Sequence, residues 1–434
     1  MRFQQNGEGM SVSQITGWGR KRLKYVASIN YEALPESTSP DYELQYIDIG
    51  NVDSSGTIHD VVTYAFENAP SRARRCVKHG DVIISTVRTY LHAIAAIENP
   101  PENLIVSTGF AVVRPNPMLH PKFCKFALRE PSFIHEVVSR SVGISYPAIN
   151  SSELGDICIS VPPVERQEQI ADFLDRETAR IDSLIAAKEN YLNLLAEKRR
   201  ALITTAITRG IDRTVQLKES GISWLGPVPE HWEIERAKWL FTERDIRSEF
   251  GDEEMLTVSH FTGVTTRSEK NVNMFMAESQ EGSKICEAGD LVINTLWAWM
   301  GAMGVSPQRG IVSPAYHVYE PGDRLDPDYL DYLVRMPVFA QEVIRYSKGV
   351  WSSRLRLYPE GLYEIWFPVP PVEEQRAIAE YLKTESAKLD ALKAATERTI
   401  TLLRERRTAL IAAAVTGKLN INGTDSHKEV RHAH

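Results

Sequence analysis

The sequence predicts an α+β chain: two strand-rich domains with pseudo-two-fold symmetry, separated by two long antiparallel coiled-coil helices. Three observations carry this expectation. The pentapeptide Val161-Pro162-Pro163-Val164-Glu165 recurs as Val369-Pro370-Pro371-Val372-Glu373, and a long run without Gly or Pro follows each copy. Overlaid with a shift of 208, the runs need no gap and about half their positions are identical, including Gln167 with Gln375 and Asp182 with Asp390. The block before each run is patterned as short strands, and the two blocks echo one another at a few points. An internal repeat of this kind decides the architecture before any local reading does.

Composition bounds the class. A chain of 434 residues is expected to hold two or more domains. Its 43% hydrophobic and 25% charged content excludes a disordered or fibrous chain. The cysteines, Cys76, Cys124, Cys158 and Cys286, form no C-x-x-C pair and read as small buried hydrophobes rather than metal ligands. Met1 to Ser13 is polar and lacks the apolar core of a signal peptide. No apolar run approaches the ~18 residues a membrane helix needs, so a cytoplasmic protein with no membrane partner is expected. The net charge of −7 argues against a uniformly basic nucleic-acid binder, but residues 218–368 alone hold 23 acidic against 15 basic side chains. A local basic face elsewhere stays open.

In chain order, residues 1–160 form the first strand-rich domain, with strands expected over 45–49, 81–87 and 109–113 and short helices over 122–129 and 132–139. Residues 161–212 form the first helical region. Its prolines end a strand and suit the first helical turn, and Gly210 closes it. Residues 213–368 form the second strand-rich domain, entered through Trp224-Leu225-Gly226-Pro227-Val228-Pro229-Glu230-His231-Trp232. Trp18 and Lys24 answer to Trp232 and Lys238, and Gly80-Asp81 answers to Gly289-Asp290. Residues 369–421 form the second helical region; 1–12 and 422–434 read as loose ends.

Apolar residues in the first helix fall at steps of three and four: Ile170, Leu174, Ile181, Leu184, Tyr191, Leu195, Leu202. The second gives Ile378, Leu382, Leu389, Leu392, Leu403, Leu410. This is a coiled-coil seam, interrupted by Glu177, Lys188 and Lys198 and by Glu385, Thr396, Thr399 and Arg406. Such a helix needs a partner to cover its seam, and the simplest partner is the other copy, packed antiparallel, with Glu177 expected near Arg406. The alternative is a scaffold whose seam drives homo-oligomerisation.

The Pro-Pro-x-x-x-Gln helix start, the Gly-Asp-hydrophobic strand and the Trp-Leu-Gly-x-x-Pro-x-x-Trp entry together resemble the specificity subunits of type I restriction-modification systems. The resemblance spans nearly the whole chain. It implies that each strand-rich domain is a target-recognition domain reading one half of a bipartite DNA site, while the helices set the spacing and dock two methyltransferase subunits. Restriction subunits that hydrolyse ATP and cleave would join that core. No cofactor is expected in this chain; S-adenosylmethionine, ATP and Mg²⁺ belong to the partners.

The residues agree with a non-catalytic role. No G-x-x-x-x-G-K-[ST] loop is present. Asn99-Pro100-Pro101-Glu102 lacks the aromatic fourth residue that a base-flipping adenine methyltransferase stacks on. Pro40-Asp41 and Pro327-Asp328 read as turn dipeptides. A third reading, an intrinsic methyltransferase or nuclease, therefore has no motif behind it.

DNA contacts call for Lys and Arg at phosphates and for Arg, Asn and Gln at base edges. The first domain offers Arg72, Arg74, Arg75 and Lys78, then Arg88 and Tyr90 after the Gly-Asp strand, then Arg140, Ser141, Ser145 and Tyr146 before the helix. The second offers Trp297 and Trp299 after its Gly-Asp strand and Lys348, Trp351, Ser353, Arg354 and Arg356 before its helix.

Overall fold

The computed structural model describes residues 18–269, 280–349 and 354–421, so the expected loose ends at 1–12 and 422–434 lie outside the described residues. The chain divides into two compact units, one ending at Lys188 and resuming at Arg398, the other Glu189–Glu397. Compactness thus cuts the chain differently from the repeat. Each unit takes one strand-rich block and about half of each long helix, α4 (Val164–Arg209) and α8 (Val372–Val415).

In the first unit, β2 (Ala27–Ile29), β9 (Phe110–Pro115), β6 (Val82–Ser85) and β7 (Ile94–Ala96) form one antiparallel sheet in that order. Strand β6 is apolar at successive positions because both its faces are covered. Val82 and Ile84 pack with Phe123 of α1 (Pro121–Ala127) and with Ile170 and Leu174 of α4, while Ile83 joins a separate cluster with Ile47 and Val106. That second cluster lies under the sheet β4 (Val62–Ala65), β3 (Glu43–Ile47), β8 (Leu104–Ser107), β5 (Ala73–Cys76), in which β3 and β8 run parallel. The helix expected at 132–139 is α2 (Pro131–Ser139), and α3 (Ser151–Gly155) follows. The pair β1 (Gly19–Arg22) and β10 (Cys158–Val161) then delivers the chain to α4.

The second unit repeats this plan. Strands β11 (Leu217–Glu219) with β12 (Pro227–Pro229), and β13 (Glu233–Arg236) with β22 (Trp366–Val369), frame it. The order β14 (Phe241–Glu243), β21 (His317–Pro321), β18 (Leu291–Ile293), β19 (Met303–Val305) reproduces β2-β9-β6-β7. The other sheet is represented by two ribbons, β15 (Leu256–Ser259) with β16 (Gly263–Thr266) and β17 (Lys284–Cys286) with β20 (Gly310–Val312), linked by a parallel bridge from Met255 to Ile311. Helices α5 (Pro327–Val334), α6 (Pro337–Tyr346) and α7 (Pro359–Tyr363) complete it. Pro327-Asp328, expected as a turn, instead opens α5, because the Asp326 carboxylate caps the N–H groups of Asp328 and Tyr329. Cys124 and Cys286 are buried as expected, whereas Cys76 and Cys158 are only half-buried.

The recurring Gly-Asp pair has a structural cause. Gly80 and Gly289 sit at φ +86° and +94°, where a side chain is strained. The buried Asp81 carboxylate accepts the N–H of Lys78 at 2.7 Å and pairs with Arg114 through Nε and Nη2, both at 2.8 Å. Asp290 accepts the N–H of Glu287 at 2.8 Å and pairs with Arg244 at 2.8 Å. Burial raises the Asp290 carboxyl above its usual range despite that arginine.

The helices run antiparallel within each unit. Asp182 pairs with Arg407 at 2.9 Å in the first unit, and Arg199 pairs with Asp390 in the second. The residue numbers of each pair add to the same total, and each pair maps onto the other under the shift of 208, so a single register serves both. Arg407, not Arg406, is the inward arginine, and it meets Asp182 rather than Glu177. Ile170, Leu174, Ile181, Leu195, Ile378, Leu382 and Leu389 are buried, and Leu202, Leu403 and Leu410 are half-buried. Leu184 and Leu392, however, are each 46% exposed, and Tyr191 is also exposed. The stripe passes instead through Thr178, Ile181, Ile185, Lys188, Leu192, Leu195 and Arg199. The expected seam took the alternation of three and four in the wrong phase over this stretch. Thr396 is a buried polar position of the stripe as expected, and Thr178 and Ser386 are buried in place of Glu177 and Glu385.

Gln167 and Gln375 tie the start of each helix to its strand-rich block. Both are fully buried. Gln167 accepts from the N–H of His120 at 2.7 Å and donates to the carbonyls of Met118 and Pro162 at 2.9 and 2.7 Å. Gln375 does the same with Asp326, Arg324 and Pro370, each at 2.8 Å. An amide supplies an acceptor and two donors in one group, and a carboxylate or hydroxyl cannot replace it. We expect Gln167→Glu to lower the thermal midpoint of the first unit by leaving two buried carbonyls without donors, at about 1–3 kcal/mol per group. A calorimetric scan unchanged from wild type would contradict that role.

Candidate nucleic-acid interface

Beyond β6 the chain turns through residues 86–93, with Arg88 and His92 in the left-handed region at φ 55° and 52° and a single 3-10 turn, Thr89–Leu91, between them. The loop of residues 140–149, far away in sequence, folds back onto this turn. The N–H of Arg88 donates to the Pro147 carbonyl at 2.8 Å, and that of Ile149 to Thr86 at 2.9 Å. The hydroxyls of Thr89 and Ser141 lie 2.8 Å apart, and the Arg88 guanidinium sits over the Tyr146 ring at 4.8 Å. Two sets of candidates separated by some fifty residues are therefore brought together. Arg88, Tyr90, Ser145 and Tyr146 are exposed on the result. Arg140 and Ser141 hold the scaffold: Arg140 pairs with Glu136 at 2.7 Å, and the Ser141 hydroxyl donates to the Val137 carbonyl at 2.7 Å.

The third set divides by what surrounds each side chain. Arg72 is exposed next to this edge: its carbonyl accepts from Thr108, and the adjacent Gly109 accepts from the N–H of Thr86. Arg74 lies over the Phe66 ring at 4.5 Å. Arg75 is half-buried, and burial lowers its pKa. Lys78 pairs with Glu32 at 2.8 Å. Arg74 and Arg75 are thus half-buried in packing, while Lys78 stays exposed in a surface ion pair.

The second unit builds the same pair of loops. Thr295 and Leu357 stand where Thr86 and Ile149 stand, and the N–H of Leu357 donates to the Thr295 carbonyl at 3.4 Å. Trp297 and Trp299 occupy the places of Arg88 and Tyr90 around the 3-10 turn Ala298–Met300. Their rings stack at 6.3 Å with an interplanar angle of 20°, and the Trp299 indole N–H donates to the Leu296 carbonyl at 3.1 Å. Lys348 and Arg356 exchange backbone hydrogen bonds, both at 2.9 Å, and leave their side chains exposed beside that of Arg354. Trp351 and Ser353 lie outside the described residues.

The search for cations and polar groups missed the apolar part of both surfaces. Leu91, Val142 and Ile144 are exposed in the first unit, and Leu296 and Met300 in the second. Unbroken exposure of large apolar residues on paired loops was not visible without knowing that the loops meet.

Residues 16–194 match the family model described as the type I restriction modification DNA specificity domain. Over 328 residues the chain is 23% identical to the putative type I restriction enzyme MjaX specificity subunit of Methanocaldococcus jannaschii, covering 70% of this chain and 71% of that one. It is 21% identical over 342 residues to the EcoBI specificity subunit of Escherichia coli, covering 70% and 69%. Among solved structures, a chain from a study of complex assembly and conformational transition of the type I R-M system superposes with a TM-score of 0.74 at 22% identity, covering 93% and 98%. The HsdS subunit of Thermoanaerobacter tengcongensis superposes with 0.57 at 23%, covering 93% and 97%. The structural likeness shows the fold. Residues 16–194 thus match a type I restriction modification DNA specificity domain, and some 70% of the chain is similar to specificity subunits of type I restriction enzymes.

Proposed function

We propose that this chain reads a bipartite, interrupted site on double-stranded DNA, one half with each strand-rich domain, and docks two methyltransferase subunits along its helices. Restriction subunits complete the assembly. The chain itself is non-catalytic in this reading: S-adenosylmethionine, ATP and Mg²⁺ act on the partners, and the complex works in the cytoplasm. One observation carries the proposal. The same pair of loops is joined by an equivalent backbone hydrogen bond in both units, Ile149 to Thr86 and Leu357 to Thr295, yet presents Arg88 and Tyr90 in one and Trp297 and Trp299 in the other. A constant frame with variable exposed residues suits two readers of different sequences. Linking two weak readers in one chain raises affinity through effective concentration. Among the described residues, no helix is long and apolar enough to cross a membrane.

Selection from random-sequence DNA by the chain co-expressed with its methyltransferase subunits is expected to enrich two short motifs separated by a fixed gap. Enrichment of a single uninterrupted motif, or of none, would sink the proposal. Within that site Arg88 is the residue in the first unit best placed for a bidentate contact with guanine. Arg88→Ala is expected to relax preference at one position of one half-site, by about 1–3 kcal/mol, and to leave the other half unchanged. Uniform weakening across all sequences would mark Arg88 as a phosphate contact instead.

A further inference from the structure

We infer that the turn around Trp297 is an aromatic wedge, which reads the second half-site by stacking against an opened base step rather than by hydrogen bonds to base edges. The inference rests on the DNA-reading role proposed above and deepens it. Trp297 is 50% exposed, and Leu296 and Met300 on either side of it are exposed as well. The turn therefore projects an apolar tip into solvent. Trp299 stacks beneath Trp297, and its indole N–H is engaged by the Leu296 carbonyl, so Trp299 positions the outer ring. A ring held from below loses little freedom on binding.

The neighbouring loop says what covers this tip. In the first unit the turn carries the cation, Arg88, and the facing loop carries the apolar residues Val142, Ile144 and Tyr146. In the second unit the turn is apolar, and Lys348, Arg354 and Arg356, described residues of the facing loop, are exposed. An apolar tip flanked by cations is complementary to a nucleic-acid duplex, whose base faces are apolar and whose strands are lined with phosphates. Apolar wedges unstack a step and kink the duplex, and pyrimidine–purine steps yield most easily. The second half-site is therefore expected to contain such a step.

The test uses the full chain assembled with methyltransferase subunits and the duplex enriched from random-sequence DNA. Trp297→Ala is expected to bind that duplex about 5- to 150-fold more weakly, the range that loss of one base–aromatic stack allows. Trp297→Phe retains an aromatic face and is expected to recover most of the affinity, which separates stacking from misfolding. The Ala variant should leave the salt dependence of binding unchanged, because it removes no counterion-releasing cation. Lys348→Ala and Arg356→Ala should each flatten the log–log salt slope by about one. With 2-aminopurine placed along the second half-site, one step should change in fluorescence on binding and should stop doing so with Trp297→Ala. If the complex enriches a two-part motif but Trp297→Ala binds it as wild type does, the wedge alone is overturned. If it enriches no two-part motif, the DNA-reading role and the wedge fall together.

Discussion

Asp81→Ala is expected to destabilise the first unit by about 3–5 kcal/mol, the cost of removing one partner from a buried ion pair. The carboxylate is almost wholly buried, accepts the Lys78 N–H and holds Arg114 through two contacts. Without it the half-buried guanidinium keeps Glu32, at 3.1 Å, and the face of the Tyr31 ring, at 5.9 Å. A second substitution distinguishes charge from packing. Pairing Asp81→Ala with Arg114→Met removes both charges and should recover much of the loss, since replacing a whole buried pair by apolar groups is often neutral. Because the chain forms two compact units, unfolding need not be two-state, and the effect should fall on one calorimetric transition while the other stays in place. Asp290→Ala should shift the other transition. A loss below ~1 kcal/mol for Asp81→Ala would return the Gly-Asp pair to an ordinary surface turn.

The Gly-Asp recurrence also shows where sequence reading stops. The glycine and the aspartate were legible because both units need the same turn before the same central strand. Their arginine partners were not. Arg114 lies on β9, whereas Arg244 follows β14, the counterpart of β2. The two units satisfy one buried charge from different strands, and only the sheet order brings those strands together. The same contrast holds for the interface. Residues after the Gly-Asp strand were found from their position in the repeat, while Arg74, Arg75 and Lys78 were drawn in by charge alone, and of these Arg74 and Arg75 are half-buried. The helical seam was legible at its ends, where Ile170, Leu174, Ile378 and Leu382 also pack against the strand-rich blocks. Toward the middle, no block fixes the phase, and polar residues such as Lys188 share the stripe, so continuing the alternation from the ends chose Leu184 and Tyr191 over Ile185 and Leu192.

The antiparallel register makes a matched insertion possible. One heptad placed between Asn190 and Tyr191 in α4 and another between Arg398 and Thr399 in α8 would enter at facing positions, because Asp182–Arg407 and Arg199–Asp390 share one register. Each helix would lengthen by about 10 Å at ~1.5 Å per residue. Along B-form DNA that corresponds to about three base pairs. Selection from random-sequence DNA is expected to return the same two half-site motifs with a gap longer by that amount. Affinity should fall, because seven residues leave a straight helix only ~20° from its starting orientation, whereas three base pairs turn the duplex by about 100°. An insertion in α4 alone would keep the phase of the stripe but offset the helices by two turns, so that Asp182–Arg407 and Arg199–Asp390 could not both form; we expect it to abolish two-part binding. A matched insertion that changes the half-site sequences while the gap stays fixed would show that the helices do not measure the site.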